Sequence, residues 1–497
     1  MRRLLIALLF VASSAFAQYD DLVNATMSQW HLPGLVVAVV QNDRVVYMKV
    51  VGVKEVGKPD PITPDTLFEI ASTTKAFTTT AMAMLVDEKK MSWDDPVRKH
   101  LEYFHLDDPC ADASVTLRDI VSHRTGLARH DELWDYNPPA TREQIIREAG
   151  MLELTYPIRS MYQYNNIMLS AAGEAVAVAA KMPWEEFIRT RIFVPLDMKD
   201  SRVSIVDWNR SDHATGHAWD SKTGRMTPRA FIDYNNIAPA GAVKSSIRDM
   251  SQWLRFQLAN GAINGKRLVS VDALQETKTP QTIIRMDEWT REVAPETNIL
   301  TYGMGWNVQD YRGELLVAHA GALNYFRTQI AMLPKRNAGV VMITNAGRGY
   351  GVIALRNAIL DRLLGGQTRD WNQYLLDVET RQDAKAETVK KEREAKRHLN
   401  THPSRELQAY AGTYENPAHG RAIVTLDNGT LMVRYNRLFA PLSHEQFDTF
   451  EFSVPEEDLD EDVQFQLGTD GDVKTLTLFG ETFKKDEGGR MKDEPKS

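Results

Sequence analysis

The sequence predicts a two-part α/β (α+β) protein: an antiparallel sheet flanked by helices with a helical subdomain, followed by a small antiparallel β-barrel. Three observations predict it. Apolar runs of strand length stand near both ends of the first 366 residues with helical patterns between them, a densely charged stretch spans 379–397, and short strands recur between turn signals beyond Ser404. At 497 residues the chain exceeds one ordinary core, so two domains are the default. The expected boundaries are a leader at 1–17, a first domain at 18–366, a charged linker at 367–403 and the barrel at 404–490.

The elements follow in order. Arg2 and Arg3, the apolar Leu4 to Ala12, and Ala15-Phe16-Ala17 form the basic region, core and A-x-A site of a secretory signal, so cleavage is expected after Ala17 and the mature protein in the periplasm or outside the cell. Gly34 to Val40 reads as a buried strand, turned by Gln41-Asn42-Asp43 into a second at Val45 to Val51. Thr66 to Ile70 is extended. Thr74 to Glu88 is a helix whose apolar face holds Ala76, Phe77, Ala81, Met84 and Leu85. Thr116-x-x-Asp119 forms a capping box, and the alanine-rich Asn166 to Ala180 is a buried helix. Strands return at Leu315 to Ala318, Phe326 to Leu333 and Val340 to Ile343, and a helix at Val352 to Leu364 ends on Gly365-Gly366. The barrel strands are expected at 412–414, 422–426, 431–435, 447–452, 463–467 and 476–479, with Asp427-Asn428-Gly429 as a hairpin turn.

Charge and cysteine content exclude several function classes. Without Arg2 and Arg3 there are 57 Lys+Arg against 67 Asp+Glu, a net charge near −10, which disfavours a nucleic-acid partner. Cys110 is the only cysteine, so no intrachain disulfide can form, and no apolar run has the length of a membrane anchor. Twelve histidines show no ligand spacing: His213-Ala-Thr-Gly-His217 lacks the glutamate of H-E-x-x-H and reads as a loop. Neither a metal nor a cofactor is expected.

The chemistry is expected at Ser72-Thr73-Thr74-Lys75, where a strand-like segment turns into a helix. The hydroxyl and the amine are three residues apart and so share a helix face. A serine needs an adjacent base to become a nucleophile, and a lysine can be that base. A helix N-terminus also offers N–H groups to a developing oxyanion. A second proton-transfer group is sought in Tyr-x-Asn, which occurs at Tyr164, Tyr234 and Tyr414; only Tyr164-Asn165-Asn166 precedes a long helix.

Ser72-x-x-Lys75, Met91 to Val97, Ile120 to Leu127, Tyr164-x-Asn166, Pro239-Ala-Gly241, Tyr302-Gly-Met-Gly-Trp306 and His319-Ala320-Gly321, in this order, resemble the serine β-lactamase and penicillin-binding-protein superfamily, on the class C side that also holds esterases and D-aminopeptidases. The resemblance covers roughly residues 20 to 365. It implies that Ser72 forms an acyl-enzyme, that Lys75 and Tyr164 share the acid and base steps in either order, and that the N–H groups of Ser72 and Ala322 form the oxyanion hole. It also implies that Asn166 bonds the substrate amide or Lys75, and that His319 and Gly321 occupy the third, Lys-Thr-Gly-type motif. A decoy at Lys222-Thr223-Gly224 follows Tyr164 by 58 residues inside a polar hairpin tip, whereas His319 follows it by 155 beside an apolar strand. The C-terminal segment resembles the small lipocalin-like barrels appended to some members.

Three readings follow from the resemblance: a hydrolase for a small ester, amide or peptide, more an esterase or D-amino-acid-type peptidase than an efficient β-lactamase; a protein that is acylated without turnover, as a penicillin sensor would be; or a true class C-like β-lactamase. A neutral imidazole at 319 in place of a lysine implies weak β-lactam hydrolysis.

Overall fold

The computed structural model describes residues 19–203, 208, 211–366, 368–457 and 459–486. The expected leader, residues 1–17, lies outside the described residues. The chain divides into two compact units, one formed by 1–129 with 153–382 and the other by 130–152 with 383–497.

The first unit is built on an eight-stranded sheet of β1 (Gly34–Gln41), β2 (Arg44–Gly52), β3 (Thr282–Ile283), β4 (Leu300–Tyr302), β5 (Asn307–Tyr311), β6 (Glu314–Leu323), β7 (Phe326–Leu333) and β8 (Ala338–Thr344). Their order is β2-β1-β8-β7-β6-β5-β4-β3, every neighbour antiparallel. β1 and β8 join the two ends of the unit, with Leu35 opposite Thr344 and Val39 opposite Val340. Five longer helices accompany the sheet: α1 (Lys75–Asp87), α2 (Asn166–Ala180), α3 (Ile247–Leu258), α4 (Tyr350–Leu364) and α5 (Trp371–Lys396).

Successive side chains of β1 and β8 point to opposite faces. Leu35, Val37, Val39, Val340 and Met342 share one core with Val352, Leu355 and Ile359 of α4 and Trp371, Leu375 and Val378 of α5. α3 packs against β1 and β8 on the other side, where a Cβ at Gly339 would stand 2.9 Å from Leu254 Cδ1. Both faces being covered explains why all of β8 and all of β1 but Gln41 are buried and why both read as continuous apolar runs.

The central helix α1 departs from the expected amphipathic pattern: Lys75 through Leu85 are all buried. Its threonines are accommodated by hydrogen bonds. Thr78 Oγ1 donates to the Pro239 carbonyl at 2.7 Å, and Gln257 Nε2 donates to Thr80 Oγ1 at 3.2 Å. A polar residue in such a helix signals a partner across the interface, so polarity does not mark its solvent side.

The second unit contains a closed barrel of β9 (Gly412–Asn416), β10 (Gly420–Asp427), β11 (Thr430–Tyr435), β12 (Leu438–Gln446), β13 (Thr449–Val454), β14 (Leu459–Leu467), β15 (Val473–Leu478) and β16 (Glu481–Lys485). Asn428 and Gly429, with φ of 49° and 83°, make the expected hairpin turn. Two of the eight strands, β12 and β16, carry no expectation from the sequence. Leu438, Ala440 and Leu442 do alternate inward, but Pro441 and the exposed Phe439 obscure the rhythm.

The expected domain limits differ from the units in two places. Helix α5 begins inside the supposed linker, and its Trp371, Leu375 and Val378 complete the first unit's core. Residues 130–152 group with the barrel, where Tyr136 packs on its core and stacks on Phe479 at 5.3 Å. Charge along 379–397 hides the apolar first turns of α5, and no local pattern in 130–152 announces a partner more than 300 residues away.

Candidate active site

The approach to Ser72 is a tightly held backbone. Phe68 and Glu69 pair with Ser245 and Lys244, and Ala71 takes a left-handed φ of 48° before the 3-10 turn Ala71–Thr74 runs into α1. An alanine in this region is strained, and the neighbours hold it there. Gly321 of β6 permits the close packing: a Cβ there would lie 2.3 Å from the Ile70 carbonyl oxygen. Beneath the turn, Glu69 and Lys244 form a buried pair with a 3.8 Å N···O separation, and Asn324 Nδ2 donates to Glu69 at 2.8 Å. Burial raises the Glu69 carboxyl to about 7 against the opposing pull of Lys244.

Ser72, Lys75, Tyr164 and Asn166 meet at one point. Lys75 Nζ lies 3.2 Å from Ser72 Oγ, 2.7 Å from Asn166 Oδ1 and 2.9 Å from the carbonyl of Ala240. Tyr164 OH donates to Ser72 Oγ at 2.7 Å. Lys75 is fully buried and Ser72 half-buried, so the amine is screened from water while the hydroxyl remains reachable. The Pro239-Ala-Gly241 motif supplies one acceptor for the lysine, and the Tyr302 to Trp306 loop lies against its backbone, a Cβ at Gly305 falling 3.0 Å from the Lys75 carbonyl. Asn165 caps α2 through the Met168 N–H at 3.0 Å, which orients the first turn and with it Asn166.

Ser72, Tyr164, Tyr302, His319, Ala322 and Arg129 line an open cavity of about 410 Å³, with Gly321 in the same wall. Tyr234 and Tyr414, the alternative Tyr-x-Asn residues, are not part of this lining. Tyr414 donates its hydroxyl to the Tyr410 carbonyl at 2.7 Å inside the barrel. Lys222-Thr223-Gly224 caps the hairpin between His217–Asp220 and Arg225–Pro228, where Thr223 Oγ1 binds Asp220 at 2.7 Å.

His319 differs from a substrate-facing donor. Its Nδ1 stands 2.6 Å from the Ala320 carbonyl and its Nε2 2.9 Å from Tyr302 OH. A carbonyl can only accept, so Nδ1 carries the proton and Nε2 accepts from the tyrosine. Both nitrogens are engaged by protein. Burial, with Lys75 nearby, lowers the imidazole to about 3, so it is neutral at physiological pH. His213 and His217 are likewise engaged by loop backbone: His217 Nε2 accepts from the Val56 N–H at 3.0 Å and Nδ1 meets the Asn345 carbonyl at 3.0 Å.

Three participants have no counterpart among the sequence-derived candidates. Arg129 places its guanidinium 5.1 Å from the centre of the Tyr164 ring and brings a permanent positive charge to the cavity. Tyr302 fixes His319. His123 is fully buried with its ring centre 4.4 Å from that of Tyr164 and 4.7 Å from that of Tyr302. Its Nδ1 accepts from the Asn165 N–H at 3.1 Å, and burial first, then the charge of Lys75, lowers its basicity well below the usual imidazole range. Tyr302 was within reach of sequence reading because it opens the Tyr-Gly-Met-Gly-Trp stretch; Arg129 stands in no motif.

The family profile described as beta-lactamase matches residues 19–362, and one described as a domain of unknown function (DUF3471) matches 396–490. Unguisins hydrolase ungD' of Aspergillus campestris is 28% identical over 94% of this chain and 90% of its own. Unguisins hydrolase ungD of Aspergillus violaceofuscus is 27% identical over 82% and 76%. Among solved structures, an octameric penicillin-binding protein homologue from Pyrococcus abyssi shares the fold with a TM-score of 0.62 at 21% identity, covering 94% of this chain and 99% of that one. By the extent of the family match, the chain belongs to the beta-lactamase family, within the superfamily of β-lactamase-like and penicillin-binding-protein-like serine hydrolases.

Proposed function

We propose that the protein hydrolyses an ester or an amide/peptide bond through an acyl-enzyme on Ser72, and that it is an esterase or D-amino-acid-type peptidase more than an efficient β-lactamase. The observation that carries this reading is the convergence of Lys75 Nζ and Tyr164 OH on Ser72 Oγ, at 3.2 and 2.7 Å, on the wall of an open cavity. Ser72 Oγ attacks the carbonyl carbon and passes its proton to the Lys75–Tyr164 pair, whichever member is unprotonated. The N–H groups of Ser72 and Ala322 receive the oxyanion. Collapse expels the alcohol or amine, protonated by the same pair, and water repeats the sequence to release the acid and restore Ser72. Asn166 and the Ala240 carbonyl hold the lysine, and His319 acts through Tyr302 to shape the wall.

The substrate class rests on charge. A neutral, internally bonded His319 supplies no charge-assisted donor for a β-lactam carboxylate, and such a bond is about twice as strong as a neutral one. Arg129 brings a positive charge to the same cavity. The relatives named as unguisins hydrolases favour hydrolysis over stable acylation as the outcome. The leader-like first 17 residues support export, and N-terminal sequencing of protein recovered from the periplasm or medium is expected to begin at Gln18.

The test is a panel of p-nitrophenyl esters, D-amino-acid amides and a chromogenic cephalosporin. Turnover of an ester or D-amide well above that of the cephalosporin is expected. Efficient cephalosporin turnover with ester activity far behind would restore a β-lactamase.

A further inference from the structure

Within the second unit, His130 and Glu132 come together with His419 of the β9–β10 hairpin; the three offer ligand atoms all within 4.8 Å of one another. His130 Nδ1 lies 3.2 Å from Glu132 Oε1, and His419 Nδ1 lies 3.7 Å from that same oxygen. Glu481 of β16 closes the remaining side, Oε1 being 3.7 Å from His130 Nδ1 and Oε2 3.7 Å from His419 Nε2.

The His419 side chain is 1% exposed, yet neither of its ring nitrogens has a hydrogen-bond partner, and neither has His130 Nε2. Buried imidazole nitrogens are normally paired. The position of the ring is not accidental, because Asn416 Oδ1 accepts from the backbone N–H groups of Ala418 and His419 at 2.9 and 3.0 Å and fixes the turn that carries it. From these observations we propose that His130, Glu132 and His419 bind a zinc-class divalent transition-metal ion, with Glu481 accepting the Nε2–H of His419 and orienting its ring.

The spacing suits such an ion. With metal–ligand distances of about 2.0–2.2 Å, the edge of a tetrahedron is roughly 3.3–3.6 Å, close to the two separations from Glu132. Two imidazoles and a carboxylate form a borderline donor set that suits zinc better than calcium or magnesium, which require oxygen ligands. The carboxylate on the second nitrogen of a ligating histidine is the usual means of fixing its tautomer. A bound ion would tie residues 130–132 to the hairpin that ends in His419 and so contribute to the stability of this unit.

The experiment uses the full chain, free of any histidine tag, stripped with a chelator, incubated with zinc chloride and desalted. Metal content and melting temperature are then read. About one equivalent of zinc per chain and a melting temperature raised by several degrees are expected. His419→Ala and Glu132→Gln should each lose both effects. Because either variant could fold poorly, Co²⁺ is titrated into the wild-type chain as well: a saturable visible absorption band displaced by zinc supports the site. No retained zinc and no cobalt band in the wild type, or equal zinc in folded variants, would show that the cluster is a set of carboxylate–imidazole pairs without a metal.

Discussion

At the scale of single residues, the reading depends on which groups touch Ser72. Tyr164→Phe removes the 2.7 Å hydroxyl contact, and Lys75→Ala the 3.2 Å amine. Each is expected to lower kcat for the best ester by at least about a hundredfold, the range of one positioned acid or base; Tyr234→Phe, away from the cavity lining, should change it little, and an equal loss at Tyr234 would show that Tyr164 is not the acid/base tyrosine. His319 gives a pH prediction with a definite sign. Its folded value of about 3 lies below an unfolded value near 6.5, so in that interval the unfolded chain binds the extra proton. Stability is therefore full above the unfolded value and declines as pH falls from about 6.5 towards 3, by up to about 1.4 kcal/mol per pH unit for this one proton. Denaturation curves of His319→Gln should be flatter than wild type across that interval; equal slopes would contradict a buried neutral imidazole. That Ser72 and Lys75 share a face was legible in their three-residue spacing, whereas Tyr164 was singled out by the long helix that follows it and by the resemblance of the ordered motifs. The engagement of both His319 nitrogens was not, since Tyr302 and the Ala320 carbonyl meet the ring only across folded strands.

At the scale of elements, the nucleophile turn depends on the close approach of β6. Gly321→Ala would set a methyl carbon 2.3 Å from the Ile70 carbonyl, so the backbone must move. A loss of stability of about 1–3 kcal/mol is expected, with a fall in kcat larger than any change in KM, read from chemical denaturation and steady-state kinetics. Unchanged kcat would mean that the strand does not set the position of Ser72. β1, β2, β6, β7 and β8, with α1, α2 and α4, could be placed from the sequence, most plainly where both faces are covered and the apolar run is unbroken as in β1 and β8, whereas β3, β4, β5 and α3 carry no expectation. The barrel's β12 and β16 escaped because Pro441 and the short span of Glu481–Lys485 weaken the alternation on which strand recognition depends.

At the scale of the whole molecule, two division points could not be read locally. A chain ending at residue 366 would lose Trp371, Leu375 and Val378 from the core shared with β1, β8 and α4. It is expected to melt many degrees lower than the full chain or to aggregate, because large buried side chains contribute roughly 2–5 kcal/mol each. A melting temperature equal to that of the full chain would show that the first turns of α5 are dispensable. Length and texture indicated two parts, but the assignment of 130–152 to the barrel unit depends on contacts such as Tyr136 with Phe479, across more than 300 residues of sequence. The central claim, covalent catalysis by Ser72, is tested most directly by intact-mass and peptide mass spectrometry after a fluorophosphonate is added to the wild type and to Ser72→Ala. A single adduct on the peptide containing Ser72, absent from the variant while its melting temperature stays near that of the wild type, is the predicted result; an adduct on another residue, or labelling that persists in Ser72→Ala, would contradict it.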